Sequence, residues 1–293
     1  MVVKSNNDHR VDVAGSNRTH KLLAHLILCI GVVFMLGPIV VVVASSTHLT
    51  SVLQNEGLQW LPGNHAYQNY SRVLSFQSGF TDQITPLAML VNSMIVAVGV
   101  AVLTTLLSLL TAYAIVFFRM PMKKWIFWTV LLTLLFPLES RFVNTFSVVA
   151  SLGLINTHAG IVLPALAAAL GTFFFRQYFL TLPKELIEAA TLDGAGPFRF
   201  LKDIVMPLSF SRAGAIFVVA FMIGWNQYLW PLMISTDDSL YTLVRGIRLI
   251  GQESGPGMAL VVITILPPFM LLLAFQRWFF RSLSSCLDSY QSD

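Results

Sequence analysis

Glu188 to Pro207 read EAATLDGAGPFRFLKDIVMP, a polar, Gly-interrupted segment set between two strongly apolar stretches, Ala159 to Phe175 and Ala213 to Ser235. A short loop would be enough to join two membrane spans, so a segment this long calls for structure of its own. In Leu182 to Ala190 (LPKELIEAA), Pro183 suits a first helical turn, Glu185 and Glu188 follow in the early turns, and Ala189 and Ala190 are strong helix formers. Asp193-Gly194 then supplies turn chemistry, with the glycine free to take a positive φ. Pro197 opens a second helix through Phe198, Phe200, Leu201 and Ile204, and Pro207 is expected to stop it. The expectation is a protruding helix-turn-helix. Its small face at Ala189, Ala190 and Ala195 would admit another protein closely, while Glu188 and Asp193 offer carboxylates to that partner's basic groups.

Working outward, the 293 residues are 56% hydrophobic and 11% charged, against roughly 25% charged in soluble domains. Uncharged apolar stretches occupy Leu22 to Ala44, Leu87 to Phe118, Ala159 to Phe175, Ala213 to Ser235 and Met258 to Phe275. Each is near or above the ~20 residues that span a bilayer. A sixth, Trp125 to Leu138, stops at Glu139 and Arg141 and reads as a span broken at Pro137, with Phe142 to Leu154 near the interface or re-entering. The fold class expected is all-α, polytopic, with six spans at about 22–44, 87–118, 125–141, 159–180, 208–235 and 258–280. An outer loop at 45–86, a segment at 183–207 and tails at 1–21 and 282–293 complete the chain.

Basic residues orient it. Lys4, Arg10, Arg18 and Lys21 lie before the first span, Arg119, Lys123 and Lys124 in the second loop, Arg176, Lys184, Arg199, Lys202 and Arg212 in the fourth, and Arg277 and Arg281 after the last. The opposite face holds only Arg72, Arg141, Arg245 and Arg248, so the positive-inside rule puts both termini and the Glu188 segment in the cytoplasm. Trp125, Trp128 and Trp278 at that side, and Trp230 near the other, suit interfacial anchoring. This topology accounts for the net charge of +4 without nucleic acid. The first apolar run is about twice a typical signal-peptide core, so it reads as an uncleaved span. Cys29 and Cys286 cannot readily meet. In the outer loop, Trp60 to Gly63 (WLPG) marks a turn, and a short helix is expected around Tyr67 to Leu74.

The segment is similar to the EAA loop of membrane subunits of binding-protein-dependent ABC importers, which follows E-A-A, three residues, G, nine residues, I, two residues, P. Those positions here are Glu188, Ala189, Ala190, Gly194, Ile204 and Pro207, and Asp193-Gly194-Ala195 matches the sugar-importer form. Leu201, Gly196 and Met206 are small departures. The resemblance covers most of Leu87 to Arg281. Phe136 to Arg141 (FPLESR), Leu152 to Asn156 (LGLIN), Phe175 to Pro183 (FRQYFLTLP) and Gly224 to Pro231 (GWNQYLWP) resemble the permeases of sn-glycerol-3-phosphate importers. It implies a bacterial inner-membrane permease that forms half of a path for sn-glycerol 3-phosphate or glycerophosphodiesters. A sugar or oligosaccharide importer is the alternative. It also implies a heterodimer with a second permease, two ATPase subunits and an extracytoplasmic binding protein. The coupling residues would be Glu185, Glu188, Ala189, Ala190, Asp193, Gly194, Ala195, Ile204 and Pro207. No GxxxxGK[ST] phosphate loop occurs, so no cofactor is expected in this chain, with ATP and Mg held by the partner ATPase.

Within the membrane, Asn226 and Gln227 lie roughly 25 Å beyond Ser209 at 1.5 Å per residue, in the outer half of a ~30 Å layer. They suit either a water-lined path or plain interhelical hydrogen bonds. Trp225 and Tyr228 could line the same path or simply pack. Glu139, Arg141 and Asn144 are further path candidates. The Arg141 guanidinium suits phosphate, but snorkelling to headgroups is the more ordinary account of it. Arg245 and Arg248 read as solvated or as contacts for an anion or the binding protein. The six histidines show no ligand spacing, so no metal site is expected. An ion-coupled secondary transporter remains a rival; an intramembrane enzyme would need a nucleophile and base pair that the sequence does not offer.

Overall fold

The computed structural model describes residues 18–75, 84–136, 138–166, 168–250 and 254–288. The elements are helical, and no β-strand occurs among the described residues. They are α1 (Arg18–Ser45), α2 (Thr50–Glu56), α3 (Ala66–Leu74), α4 (Pro86–Phe117), α5 (Lys123–Leu132), α6 (Leu138–Ser151), α7 (His158–Val162), α8 (Ala168–Leu180), α9 (Lys184–Leu192), α10 (Pro197–Phe200), α11 (Met206–Trp225), α12 (Leu229–Ile234), α13 (Leu243–Ile250) and α14 (Gly255–Asp288). Four helical runs among the described residues are long and apolar enough to cross a membrane, and up to six if each of two bent pairs is one span.

The axis of the bundle is α4. Thr85 caps its start by accepting from the Ala88 N–H, and Pro86 fills a first-turn position where its missing N–H costs nothing. Met89, Ala97, Ala101, Leu109 and Ala112 are buried along it, against α8 on one side and α11 on the other. Two glycines permit those crossings. A Cβ on Gly171 would stand 2.4 Å from Ser108 Oγ, and one on Gly224 would stand 3.0 Å from the Ala97 Cα. By contrast α1 is almost unburied, with Phe34 at 81% and Met35 at 78% exposure. Apolar belts of this extent on a polytopic chain face lipid or another subunit.

The run at 125–141, expected to be a broken span, is indeed divided: a helix at Lys123–Leu135 is followed by Ser140–Ser151 inclined at 107° to it. The first piece is about 20 Å long, short of the ~30 Å hydrocarbon layer. Pro137, the expected break, lies outside the described residues, as do the tails at 1–17 and 289–293 and loop residues 76–83. The stretch at 159–180 bends by 48° between His158–Ala165 and Ala168–Leu180. The helix expected around 67–74 is α3, while α2 was not anticipated.

Pro207 does not stop the second helix of the segment. Residues 201–205 form a π-turn in which the Met206 N–H reaches back five residues to the Leu201 carbonyl, and α11 continues with Pro207 in its first turn. The wider turn supplies a hydrogen-bonding register in which the N–H that proline lacks is not missed. Pro197–Trp225 is therefore one helical run of 29 residues. The far end of the stretch expected at 208–235 breaks instead, at Asn226–Tyr228, before α12.

Candidate functional site

The polar segment folds as two short helices, α9 and α10, joined by a tight turn. At the end of α9 the Ala195 N–H donates to the Ala190 carbonyl at 2.9 Å and the Gly194 N–H to Thr191 at 3.1 Å, with Gly194 at φ +68°. This is the Schellman pattern, which satisfies carbonyls a helix end would otherwise leave open. A Cβ on Gly194 would meet nothing within 4 Å, so the glycine is required by backbone conformation alone. Gly196 then caps α10, accepting from the Phe200 N–H at 2.9 Å, and Pro197 takes its first turn.

The hairpin is bolted to the bundle by aromatic rings. Phe117, at the end of α4, lies 5.2 Å from Phe200 and 5.6 Å from Phe179, and Tyr113 lies 5.1 Å from Phe117. The Tyr113 hydroxyl donates to the Pro197 carbonyl at 2.7 Å. Ala190 (6% exposed) sits in this same buried cluster, and Ala195 packs against it. The small residues expected to admit another protein are thus divided. Ala190 and Ala195 let the hairpin approach its own chain, because a larger side chain would hold α9 away from Tyr113 and Phe200, and only Ala189 faces outward. Ile204 is partly buried against the cluster beside fully buried Val205.

Outward face Glu185, Glu188, Ala189 and Asp193, together with two large apolar side chains, Leu192 at 89% and Phe198 at 76% exposure. Carboxylates around exposed apolar anchors make a surface suited to a protein partner with a basic rim. Arg199 pairs with Asp203 of the next turn, at 3.5 Å, and that pair is exposed.

The path candidates fall at the other end of the bundle. Trp225 is 2% exposed and stacks on Phe221 at 5.7 Å, a packing position within this chain. Asn226 is exposed at the end of α11. Gln227 is half-buried, and its Oε1 is enclosed without a hydrogen-bond partner among the described residues. Tyr228 is half-buried and engaged. Arg141 and Asn144 are exposed on α6, whereas the side chain of Glu139 lies outside the described residues. Phe142 packs on Trp230 at 5.7 Å, bringing α6 alongside α12 and so near the break that carries Asn226 and Gln227.

Around that break the chain is fastened by hydrogen bonds that the sequence did not announce. Asn156, at φ +55°, accepts on Oδ1 from the Thr236 N–H (2.7 Å) and the Asp237 N–H (3.1 Å). Asn92 donates to the carbonyls of Ser239 and Tyr241 at 2.7 and 3.2 Å and accepts from His158 Nε2 at 3.0 Å. Arg245 is not a free cation: it donates to the Ser235 carbonyl and, at 2.7 Å, to Ser235 Oγ, with its guanidinium 3.5 Å from the Tyr241 ring centre. The Ser239 N–H holds the Asp237 carboxyl below the usual carboxylate range. The one sequence signal for Asn156 is its residue type, since Asn enters the left-handed region more readily than most non-Gly residues.

Comparison with known proteins fits this architecture. The chain is 42% identical over 269 residues to the sn-glycerol-3-phosphate transport system permease protein UgpE of Yersinia pestis bv. Antiqua (strain Antiqua), covering 89% of this chain and 95% of the relative. It is 39% identical over 271 residues to the protein of the same name from Brucella melitensis biotype 1, at the same coverage. Among solved structures, a chain from a bacterial ABC transporter involved in the import of the acidic polysaccharide alginate superposes with a TM-score of 0.77 at 20% identity, over 90% of this chain and 98% of that one. That likeness is one of fold. The family model described as binding-protein-dependent transport system inner membrane component matches residues 13–285. This chain, a multi-pass membrane protein by its apolar helices, therefore belongs to the family of inner membrane components of binding-protein-dependent transport systems.

Proposed function

We propose that this chain is a permease subunit of an ATP-driven importer and forms half of the translocation path for sn-glycerol 3-phosphate or related glycerophosphodiesters. The observation that carries the reading is the α9–α10 hairpin, rigidly closed at Gly194, fixed to α4 through Tyr113, and presenting Leu192 and Phe198 outward among carboxylates. Relatives of 42% and 39% identity bear the sn-glycerol-3-phosphate permease name, which supports the choice of solute.

In this reading the chain crosses the membrane six times, each bent pair counting as one span, with both termini and residues 183–207 in the cytoplasm. A separate ATPase, holding ATP and Mg, docks on α9–α10 through Glu185, Glu188, Ala189, Asp193 and the turn at Gly194. Ala190, Ala195, Ile204 and Pro207 transmit its displacement into the bundle. The chain itself does no covalent chemistry. A second permease completes the path, two ATPase subunits drive it, and an external binding protein delivers the solute. Nucleotide binding then shifts the pair between inward-open and outward-open states. Asn226, Gln227 and Tyr228 at the helix break, with Arg141 and Asn144 of α6, are the residues assigned to the path, and Glu139 and Trp225 flank it.

The test is reconstitution in proteoliposomes with the ATPase, the second permease and the binding protein. ATP hydrolysis and uptake stimulated by sn-glycerol 3-phosphate or a glycerophosphodiester, but not by maltose, are expected. Uptake by this chain alone under an ion gradient would overturn the reading.

A further inference from the structure

At the hairpin end of the bundle a second group of side chains stands apart from the surface assigned to the ATPase. The guanidinium of Arg176, on α8, lies 4.1 Å from the ring centre of Phe127, on α5. Phe127 is buried at 6% exposure and stacked on Phe173, one turn before Arg176, with ring centres 6.4 Å apart. Lys123 and Lys124 precede Phe127 by one helical turn on the same helix, which puts them on the face toward which Arg176 leans. Both lysines are exposed, and Arg176 is half-buried. Among the described residues the ion pair found is Arg199–Asp203, so these three cations have no carboxylate within salt-bridge distance there.

The surroundings of this cluster are those of a membrane surface. Trp125 is 69% and Trp128 59% exposed beside the lysines, as rings seated among headgroups would be. Further along the same run Leu132 is 50% and Leu135 75% exposed, an apolar track leading away from the charges. Along the axis of this helix, charge, aromatic rings and apolar residues thus follow one another in the order in which a phospholipid presents its headgroup, interface and acyl chains, with Trp125, Trp128, Leu132 and Leu135 on one edge and the cations beside it. The stacking of Arg176 on Phe127 also restrains the guanidinium beforehand, so less side-chain freedom is lost when it meets an anion.

We propose that Lys123, Lys124 and Arg176 form a binding site for the headgroup of an anionic phospholipid in the leaflet at the hairpin end, with Trp125 and Trp128 seating its glycerol region. Basic recesses between membrane helices capture such headgroups, and each cation near the surface contributes roughly a five-fold increase in affinity. Soluble phosphate shares the headgroup's charge but not its chains. The aromatic pair and the apolar track therefore select lipid. This site depends on the helices lying in a bilayer and not on which solute is imported, so failure of the importer reading would leave it standing.

The experiment is native mass spectrometry of the full chain in detergent, titrated with dioleoyl phosphatidylglycerol or dioleoyl phosphatidylcholine. Phosphatidylglycerol should be retained preferentially. Lys123→Gln with Lys124→Gln, both exposed and so harmless to packing, should weaken the first phosphatidylglycerol bound by more than ten-fold, and adding Arg176→Gln should weaken it further. Phosphatidylcholine retention should not change. Arg212→Gln is the control, since it removes a similar cation stacked on Tyr178 at 3.5 Å on a different part of the surface. Wild-type affinity in the double variant would overturn the proposal, as would an equal loss in Arg212→Gln or displacement of the lipid by millimolar inorganic phosphate or sn-glycerol 3-phosphate.

Discussion

The hydroxyl of Tyr113 is bonded to the carbonyl of Pro197 at 2.7 Å, so the longest-buried helix of the bundle and the first residue of α10 are held by one hydrogen bond across 84 positions of sequence. Force applied to the hairpin can therefore pass into α4 through this contact and the aromatic rings around it, as well as into α11 along the continuous run Pro197–Trp225.

Tyr113→Phe keeps the ring packing and removes the bond. The expected loss is about 1 kcal/mol of stability, the usual net value of one hydrogen bond. In the reconstituted importer, solute moved per ATP hydrolysed should fall while basal hydrolysis persists. A variant with unchanged stability and coupling would show that the rings alone hold the hairpin.

Gly194 allows a graded test, because its φ of +68° and its N–H bond to Thr191 are what the turn asks of it and its side is open. Gly194→Asn should be tolerated best, and Gly194→Ala should cost about 1 kcal/mol. Gly194→Pro requires a φ near −65° and should abolish uptake or assembly with the ATPase. The order Asn, Ala, Pro in thermal unfolding and in uptake is what should be measured. A flat series would remove the turn from any coupling role.

Gly171 and Gly224 set the distance between α4 and its two neighbours. Gly224→Ala pushes a methyl to 3.0 Å from the Ala97 backbone, which cannot rotate away. Gly171→Ala meets Ser108 Oγ at 2.4 Å, an atom already engaged with the Ala168 carbonyl at 2.9 Å. Each should cost about 1–3 kcal/mol, the range for overpacking, and should lower the yield of folded protein from detergent. Retention of wild-type thermal stability in both would mean that the helices part easily at these crossings.

Asn156 separates two effects. Asn156→Ala loses the bonds from Thr236 and Asp237 and places a Cβ residue at φ +55°, for an expected total of about 2 kcal/mol. Asn156→Gly should recover roughly half, since it removes the conformational part and leaves the lost bonds. Unfolding temperatures in detergent read both. Equal losses in the two variants would assign the whole effect to hydrogen bonding.

What could be read in the sequence was whatever a single residue or a local count decides. Gly194 follows an Asp after a helix-forming run, and positive φ is the evident use for it. The apolar runs announced α1, α4 and α14 because hydropathy needs no partner to be counted. Pro207 was misjudged because the π-turn before it is a hydrogen-bonding register rather than a composition, and proline ends a helix only where its N–H is needed. Ala190 was read toward a partner because small side chains signal close approach but not to what. Asn92, His158 and Tyr113 could not have been grouped with their partners, since folding alone brings together positions 66 to 149 residues apart.

The π-turn at 201–205 also has an angular meaning. A helix advances by about 100° for each residue, so one residue more in a single turn rotates everything beyond it by roughly that amount. The side of α10 that meets the rings of α4 and the side of α11 that meets Ala97 are thereby set independently, although both belong to one uninterrupted rod. Removing one residue from Leu201–Val205 would leave the rod intact and turn its two ends out of phase.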